Sequence, residues 1–451
     1  MLSRIFNISS RSLDVYRKAL DVTAHNIANA GNKNYTRQVS NISTAIPEKM
    51  AGIIWGSGVT MDNIQRVRNG FIDNQLREST QDSSFYDKQS ILLGRVEQIF
   101  TEPTEFGLSE QMTSFFNAFG ELAVAPNSTA LRENVIAKAQ NISTRVDTIH
   151  RNLETTKREV FDEFNSKIDT LNGLLSKIEK LNVKIAQQVE AGSQPNDLLD
   201  SRDAMIDDVT KLVDAQVSFD SNKSANISIG GILAVDLSQS VEFQITASNG
   251  KLNLSTQQNH VLQQIKGGDL GALSDVYSKK IPDYLDKLDN IIDTFVNSVN
   301  DIHSTGYTID NPPQTGVDFF SGYSNGVIQI NNEILENPNK LAVSADGTSG
   351  NGDLAIQIAN LNNQPLINGN TLVESYSSLI SKVGNDKAAS DNLSSSTELV
   401  LQQLQQQRAS YSGVSLDEEM ANIIKFQRSY DASAKLISVA DEMLQTLLQM
   451  V

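Results

Sequence analysis

Residues 415–451 have the sequence SLDEEMANIIKFQRSYDASAKLISVADEMLQTLLQMV, in which apolar residues recur at alternating steps of four and three. This spacing is the heptad period of a coiled-coil seam and predicts one long amphipathic helix. Ser415 and Glu418 have the spacing of a capping box, which predicts where the helix begins. The predicted seam consists of Leu416, Met420, Ile423, Tyr430, Ala434, Ile437, Leu444 and Leu448. Such a seam needs a partner surface.

The N-terminal segment is the predicted partner, because it carries a stripe with the same spacing. This stripe consists of Leu2, Phe6, Leu13, Tyr16, Leu20 and Ile27. Residues 1–38 contain six basic and two acidic residues, a net charge of +4, whereas residues 415–451 contain three basic and six acidic residues, a net charge of −3. The opposite charges favour pairing of the two chain ends. The alternative is an ordinary antiparallel helix pair inside a globular domain, and the pattern alone does not separate the two.

The composition of the 451 residues argues against several classes of function. Without cysteine there are no disulfides, no thiol catalysis and no Cys-ligated zinc. The net charge of −17 disfavours nucleic acid as a partner, because phosphate binding depends on basic patches. No apolar run approaches the roughly 18 residues that a membrane span requires, so we expect no membrane insertion. Polar residues interrupt the N-terminus, which argues against a cleaved secretory signal peptide.

The middle of the chain predicts a helical rod. Between Val135 and Val189 apolar residues keep the heptad spacing, apart from a phase slip near Val160 of the kind that a coiled coil absorbs as a stutter. An unbroken helix of this length spans about 80 Å at 1.5 Å per residue. Further helices are predicted over residues 67–100, 108–124, 198–213, 285–302 and 371–411.

In residues 215–262 apolar and polar residues alternate with a period of two, which predicts antiparallel strands. Asn249-Gly250 predicts a tight hairpin turn between two of them. Residues 304–370 are rich in turn residues and predict loops plus a hairpin that joins this β segment. The predicted fold class is therefore mainly α with an inserted small β domain (α+β). The predicted architecture is nested, with paired terminal helices, a long helical rod, and the β domain at the tip.

The predicted domains are discontinuous along the chain. Residues 1–38 and 412–451 form a terminal coiled-coil domain, and residues 39–66 form an extended or β linker. The rod combines residues 67–214, 270–304 and 371–411. The outer β-rich domain combines residues 215–269 with about 305–370.

No pattern in the sequence supports catalysis. The four histidines, at positions 25, 150, 260 and 303, lack the spacing of a metal site, and no GxSxG elbow is present. Asp200, Arg202, Asp203, Asp207 and Asp208 are interpreted as a solvated helix face. We therefore expect no enzyme activity, no metal and no cofactor.

Two terminal stretches resemble the flagellar rod and hook axial proteins. The first is Asn26-Ile27-Ala28-Asn29-Ala30 followed by Tyr35-Thr36-Arg37-Gln38, in which Asn26, Ile27, Asn29, Tyr35 and Arg37 match the family motif. The second begins with VSLDEE at residue 414. Three internal stretches, FIDNQLR from residue 71, PNDLLDSRD from residue 195 and GVDFF from residue 316, narrow the resemblance to the hook-associated protein 1 family. It extends over nearly the whole chain.

This resemblance implies a structural subunit of the bacterial flagellum, in a layer that connects the hook to the filament and is required for filament assembly. The implied partners are further copies of the chain, the hook protein, the second hook–filament junction protein and a flagellar export chaperone. The implied location is extracellular, after secretion in the unfolded state through the flagellar type III export apparatus. The alternatives are a flagellar hook or distal-rod protein, a secreted coiled-coil adhesin or effector, and a peptidoglycan-cleaving enzyme.

Overall fold

The computed structural model describes residues 2–50, 52–101, 107–248, 250–258, 261–262 and 265–449. The helices are α1 (Leu2–Ala28), α2 (Gly70–Phe100), α3 (Leu108–Val124), α4 (Thr129–Glu190), α5 (Asn196–Leu212), α6 (Gly268–Asp275), α7 (Ile281–His303), α8 (Asn332–Glu336), α9 (Asp353–Asn360), α10 (Leu372–Ser412) and α11 (Leu416–Gln449). The strands are β1 (Gln38–Thr44), β2 (Glu48–Met50), β3 (Ile53–Trp55), β4 (Val59–Arg66), β5 (Ala215–Phe219), β6 (Ala225–Ile229), β7 (Ile232–Val235), β8 (Phe243–Ser248), β9 (Lys251–Thr256), β10 (Phe320–Ser324) and β11 (Val327–Ile330). The predicted class, mainly α with small antiparallel sheets, is confirmed.

Helix α4 is the rod predicted from the heptad pattern, and its 62 residues span roughly 90 Å. Its buried residues recur at steps of three and four. Between Thr156 and Ile168 they follow three successive steps of four, through Val160 and Phe164. This run is the predicted phase slip, and the helix passes through it unbroken. The antiparallel packing of α2 along α10, with α3 and α7 alongside, completes the rod.

The strands form separate small sheets. β1 pairs with β4, β2 with β3, and β10 with β11, while β5, β6 and β7 form one three-stranded sheet and β8 pairs with β9. The predicted linker over residues 39–66 is thus a two-stranded ribbon with a second hairpin, β2–β3, inserted between its strands. In the β8–β9 hairpin Ser248 pairs with Lys251, and Asn249 of the predicted turn lies outside the described residues.

Two asparagines, the buried Asn182 and the partly buried Asn172, attach the β segment 215–262 to the C-terminal half of α4. Asn182 donates from Nδ2 to the Ala225 carbonyl (2.8 Å) and accepts from the Ala225 N–H (2.9 Å). Asn172 makes the same pair of bonds with the backbone of Phe243, at 2.8 and 2.9 Å. Each side chain therefore pairs with a strand backbone as a neighbouring strand would.

The β10–β11 hairpin lies elsewhere on the rod. Ser143 Oγ donates to the Ile328 carbonyl (2.7 Å), about 30 residues before Asn172 on α4 and so roughly 45 Å away along the helix. This differs from the prediction that residues 305–370 join the β segment 215–262 in one domain at the tip. The β5–β9 segment lies beside α5, near the terminal helices, and residues 304–370 cover the opposite end of the rod. The prediction placed all the strands together because period-two patterns do not indicate which part of a long helix they contact.

A cluster of aromatic rings forms the core at this opposite end. Edge-to-face contacts with centroids 4.6 to 5.9 Å apart join α3, α7 and the residues leading into β10. The cluster consists of Phe115, Phe116, Phe119, Phe295, Phe319 and Phe320. The GVDFF stretch identified in the sequence therefore supplies two of its rings.

His303 at the end of α7 holds this region together as a neutral imidazole. It is completely buried, its Nδ1 donates to the Val317 carbonyl (2.7 Å), and its Nε2 accepts the N–H of Ala342 (2.8 Å). Burial lowers the pKa of His303 to about 4, with a smaller opposite effect from the Val317 bond. A proton on Nε2 would also remove the acceptor for Ala342.

We expect His303 to make the rod acid-sensitive. The pKa of His303 is lower in the folded than in the unfolded state. Its contribution to the free energy of unfolding is therefore complete above about pH 6.5 and is lost as the pH falls toward 4. The loss is about 3 kcal/mol, because a tenfold difference in proton affinity between the two states corresponds to about 1.4 kcal/mol. Urea unfolding of the wild type and of His303→Gln at pH 7 and pH 4.5 measures it, and the exposed His25 provides His25→Gln as the control. Equal pH dependence in the wild type and His303→Gln would contradict this role.

Candidate assembly site

The two terminal helices pack antiparallel along each other, as the opposite charges of the chain ends predict. Tyr16 of α1 stacks on Phe426 of α11 with ring centroids 6.4 Å apart, and Asn26 near the end of α1 reaches Glu419 near the start of α11. In the described part of α11, the C-terminal residues 441–449 are all exposed.

The contact face of the pair differs in register from the predicted seams. On α11, Ile423, Tyr430 and Ile437 of the predicted seam lie partly buried on the contact face. The alternate positions are occupied by Glu419 and Ser433, each one residue before a predicted seam position, and by Ala440, three residues after Ile437. Consequently Leu416, Met420, Leu444 and Leu448 are exposed and Ala434 lies at the edge.

Helix α1 shows the same difference. Its buried face consists of Ser9, Ser12, Val15, Ala19, Val22, Thr23 and Asn26. The predicted seam residues lie beside this face: Phe6 is exposed, and Leu2, Leu13, Tyr16, Leu20 and Ile27 are partly buried. Small residues allow the two helices to approach closely, and two helices alone cannot cover the larger apolar side chains on the flanks. The apolar pattern selected the large residues and therefore missed the small ones.

The exposed apolar side chains of α11 form an extended surface. Its members are Leu416, Met420, Ile424, Leu436, Val439, Met443, Leu444, Leu447 and Leu448, each 39% exposed or more. Scattered exposed apolar residues are ordinary on protein surfaces, but nine along one terminal helix indicate an interaction surface, which we call the apolar row of α11 although its members are distributed around the helix. The exposed residues of the predicted α11 seam, Leu416, Met420, Leu444 and Leu448, all belong to this row.

Three of the five family-motif residues, Asn26, Tyr35 and Arg37, meet at the start of α11 in what we call the base joint. Asn26 is buried, donates to the Gln38 carbonyl (2.8 Å) and to Glu419 (3.1 Å), and accepts from Tyr35 Oη (2.7 Å) and from the Gln38 N–H (3.0 Å). Burial, together with the charges of Asp197, Asp200 and Glu419, raises the pKa of Tyr35, so its hydroxyl remains a donor. Every hydrogen-bonding position of the Asn26 amide is thus used.

Arg37 connects the motif to α11 through two carboxylates. Its Nε donates to Glu419 at 2.7 Å and its terminal nitrogen lies 2.6 Å from Glu418, while its backbone N–H donates to the Ser412 carbonyl at the end of α10 (3.0 Å). Glu419 is only 2% exposed. The other two motif residues remain outside this network, because Ile27 is partly buried on α1 and Asn29 bonds back to the His25 carbonyl.

The base joint continues into α5, where Asp200 receives three bonds. The Thr36 N–H and hydroxyl donate to it at 2.9 and 2.7 Å, and Arg66 at the end of β4 donates at 2.6 Å. Asp203, one turn further along α5, accepts from Arg66 (3.0 Å), from Arg68 and from Arg202 (2.9 Å). Burial by itself raises the pKa of Asp203, but the three guanidinium groups hold it below its usual value.

A third carboxylate extends the base joint to the rod helices. Asp207 accepts from Arg77 of α2 (3.0 Å) and from Arg408 of α10 (2.8 Å), and Arg408 also lies 3.4 Å from Asp73. The base joint therefore ties α1, α11, the β1–β4 ribbon, α5, α2 and α10 together.

This network corrects the interpretation of the α5 acidic residues as a solvated face. Asp200, Arg202 and Asp203 are buried, and of the group only Asp208 is exposed, paired with Lys211. Residues 200, 203 and 207 share one helix face. Arg66 ends β4 and Arg68 follows two residues later, a spacing that places both on the same side of an extended chain. These spacings were visible in the sequence, but the partners lie 130 or more residues apart.

The described ranges contain no cluster of three or more His, Cys, Asp or Glu residues that could hold a metal ion. Within the same ranges, no helix is long and apolar enough to cross a membrane.

The family model described as the helical domain of the flagellar hook-associated protein FlgK matches residues 93–320, which is half of the chain. The chain belongs to this family. A second model, described as the C-terminal segment of the flagellar basal body rod proteins FlgEFG, matches residues 405–450, which include α11. The hook-associated family is structural and not enzymatic, so the chain is a component of the bacterial flagellum that assembles with other flagellar proteins.

Full-length relatives carry the same description. The chain is 28% identical to the flagellar hook-associated protein 1 of Bacillus subtilis, over 97% of this chain and 96% of the relative. It is 24% identical to the protein of the same name from Salmonella typhimurium, over 99% of this chain and all of the relative. The solved structure of the flagellar hook junction protein FlgK from Burkholderia pseudomallei superposes with a TM-score of 0.64 at 13% identity, covering 75% of this chain and all of that one. That superposition supports the fold.

Proposed function

We propose that this chain forms the layer of subunits that joins the flagellar hook to the filament. The observation that carries the proposal is the combination of an exposed apolar row on α11 with a base joint that attaches α1 and α11 to the rod. A subunit in a layer needs both features, because the apolar row can pack against neighbouring copies while the base joint transmits load to the rod.

In the proposed arrangement the terminal helices of successive copies pack into an inner tube, and the rod lies outside them. The partners are further copies of the chain, the hook protein on one side and the second hook–filament junction protein on the other. An export chaperone covers the apolar row of α11 before assembly, and the chain leaves the cell unfolded through the flagellar type III apparatus. A pair of isolated helices suits this route, because most helix stability comes from packing against neighbours.

Electron microscopy of cells that lack this protein, combined with an assay for flagellin in the medium, tests the proposal. We expect hooks without filaments, and flagellin secreted into the medium. Loss of the hook as well would assign the chain to the hook or distal rod, an alternative that the match of residues 405–450 to the rod-protein model leaves open. Normal filaments would contradict the proposal and favour a secreted coiled-coil protein.

A further inference from the structure

A cavity of about 650 Å³ opens next to the base joint, between α2, α5 and the β5–β6 hairpin. Its lining is strongly cationic although the chain as a whole has a net charge of −17. Two carboxylates line it, Asp73 and Asp203, against five cations: Arg66, Arg68, Arg77, Arg202 and Lys223. Asp200 accepts from Arg66, and Asp207 accepts from Arg77. When these two carboxylates are added to the charge count of the lining, one positive charge still remains in excess.

One guanidinium group beside this cavity has a buried donor without an acceptor among the described residues. Arg68 bonds to Asp73 through Nε and to Asp203 through Nη1, but its buried Nη2 has no acceptor among the described residues. Arg66 donates to carboxylates through Nη1, and Arg77 through Nε. A buried charged donor without an acceptor is costly, so an acceptor brought by a ligand would stabilise the site.

The positive side chains around the cavity also repel one another, which disfavours their charged forms. Burial lowers the pKa of Lys223, and the nearby Arg66 and Arg202 lower it further. Burial likewise lowers the pKa of Arg202, with Arg66 and Arg77 adding to the effect, against an opposing contribution from Asp203. Burial acts in the same direction on Arg68, but the carboxylates of Asp203 and Asp73 outweigh it and raise the pKa of Arg68 instead. The uncompensated positive charge therefore lies on the Lys223 and Arg202 side of the cavity, where an anion would offset the repulsion.

We propose that this cavity is an oxyanion-binding site, which holds a carboxylate or a phosphate group between Lys223 and the arginines. Arginine matches these groups because its planar fork donates two parallel N–H bonds. Val217 and Phe219 supply an apolar wall, and the Arg202 guanidinium lies 4.8 Å from the Phe219 ring, which holds it in place beside the cavity.

Two sources could supply the oxyanion. One is a free phosphate ion. The other is an acidic side chain of a neighbouring copy, and this source rests on the proposed layer of subunits. Because the cavity adjoins the base joint, an anion from either source would stabilise the attachment of the terminal helices to the rod.

Lys223 allows a test that leaves the internal ion pairs intact. Among the described residues its side chain bonds only to the exposed Gln194 (3.3 Å), and its carbonyl, which accepts from Arg202, is unaffected by substitution. Lys223→Met keeps the aliphatic stem and removes the charge, and Lys223→Glu reverses the charge. Lys279→Gln is the matched control, because Lys279 is exposed on the rod and its one ion pair within the described ranges is with Asp275.

The first measurement is the thermal unfolding midpoint of the full chain in inorganic phosphate and in chloride of equal ionic strength. We expect phosphate to raise the midpoint saturably in the wild type and in Lys279→Gln. In Lys223→Met we expect less than half of that rise, and in Lys223→Glu none. This result identifies a site for a free anion, and it is independent of any role in the flagellum.

The second measurement is self-association at high protein concentration, by sedimentation velocity. If phosphate does not shift the midpoint, but Lys223→Met and Lys223→Glu weaken self-association several-fold while Lys279→Gln does not, the oxyanion is a carboxylate of a neighbouring copy. A phosphate shift of equal size in the wild type and both Lys223 variants indicates an adventitious ion only and overturns the proposal. Absence of any effect in both measurements also overturns it.

Discussion

Replacing both Ile423 and Ile437 by aspartate is expected to abolish incorporation into the flagellum while the monomer stays soluble and its rod stays folded. Both side chains lie partly buried on the contact face of α11, at positions fourteen residues apart. Burial of an isoleucine stabilises by about 1.5–3 kcal/mol, and the substitution also places an unpaired carboxylate on an apolar surface. Because each 1.4 kcal/mol is a factor of ten, we expect incorporation to fall at least about a hundredfold.

The measurement is the amount of the chain in purified hook–filament structures compared with the amount in the medium. Gln427→Asp combined with Ser438→Asp is the matched control, since it adds the same two charges to the same helix at exposed positions. We expect that control to be incorporated within a few-fold of the wild type. Incorporation of the Ile423→Asp, Ile437→Asp chain at the control level would show that the terminal helices do not drive assembly.

The helices of the rod could be predicted because heptad spacing is a local property of the sequence. α3 was predicted at its observed bounds, and α4 was predicted within six residues at its start and one at its end. The terminal seams could be predicted only in part. On α11, Ile423, Tyr430 and Ile437 were assigned to the contact face, but its intervening positions hold Glu419, Ser433 and Ala440, which an apolar pattern does not select.

The base joint could not be predicted from local patterns. A buried aspartate and a solvated one look the same in the sequence, and only the fold brings Arg66 to Asp200 and Arg37 to Glu419. The same limitation explains the misplaced strands, because the Asn182 and Ser143 contacts that position them on α4 are long-range. The motif stretches did mark the right segments, since Asn26, Tyr35, Arg37 and the PNDLLDSRD stretch all contribute to the base joint.

Asparagine in place of Asp203 is expected to lower the free energy of unfolding by about 3–5 kcal/mol, the usual cost of removing one member of a buried ion pair. Asp203 is 3% exposed and accepts from Arg66, Arg68 and Arg202. The neutral amide leaves these guanidinium groups without their shared counter-charge, and its NH2 group faces donors instead of acceptors. The effect should be largest where β4 meets α5, so the terminal helices should also lose protection from proteolysis.

Asp208→Asn provides a matched control on the same helix. Asp208 is exposed and, in the part of the chain that the structure describes, pairs only with Lys211, so we expect a change within about 0.5 kcal/mol. Denaturant unfolding of both variants at pH 7 measures the difference between a buried and a solvated aspartate. A cost for Asp203→Asn within about 1 kcal/mol of that for Asp208→Asn would contradict the role assigned to the base joint.

The pH dependence gives a second test of the same residue. The pKa of Asp203 is lower in the folded state than in the unfolded one, so its stabilisation is present above the unfolded value of about 4 and is lost as the pH falls through the folded value. The gap in stability between the wild type and Asp203→Asn should therefore be widest near neutral pH and narrow below about pH 4. A gap that stays constant across this range would mean that the substitution acts through packing, and that the arginines around Asp203 do not depend on its charge.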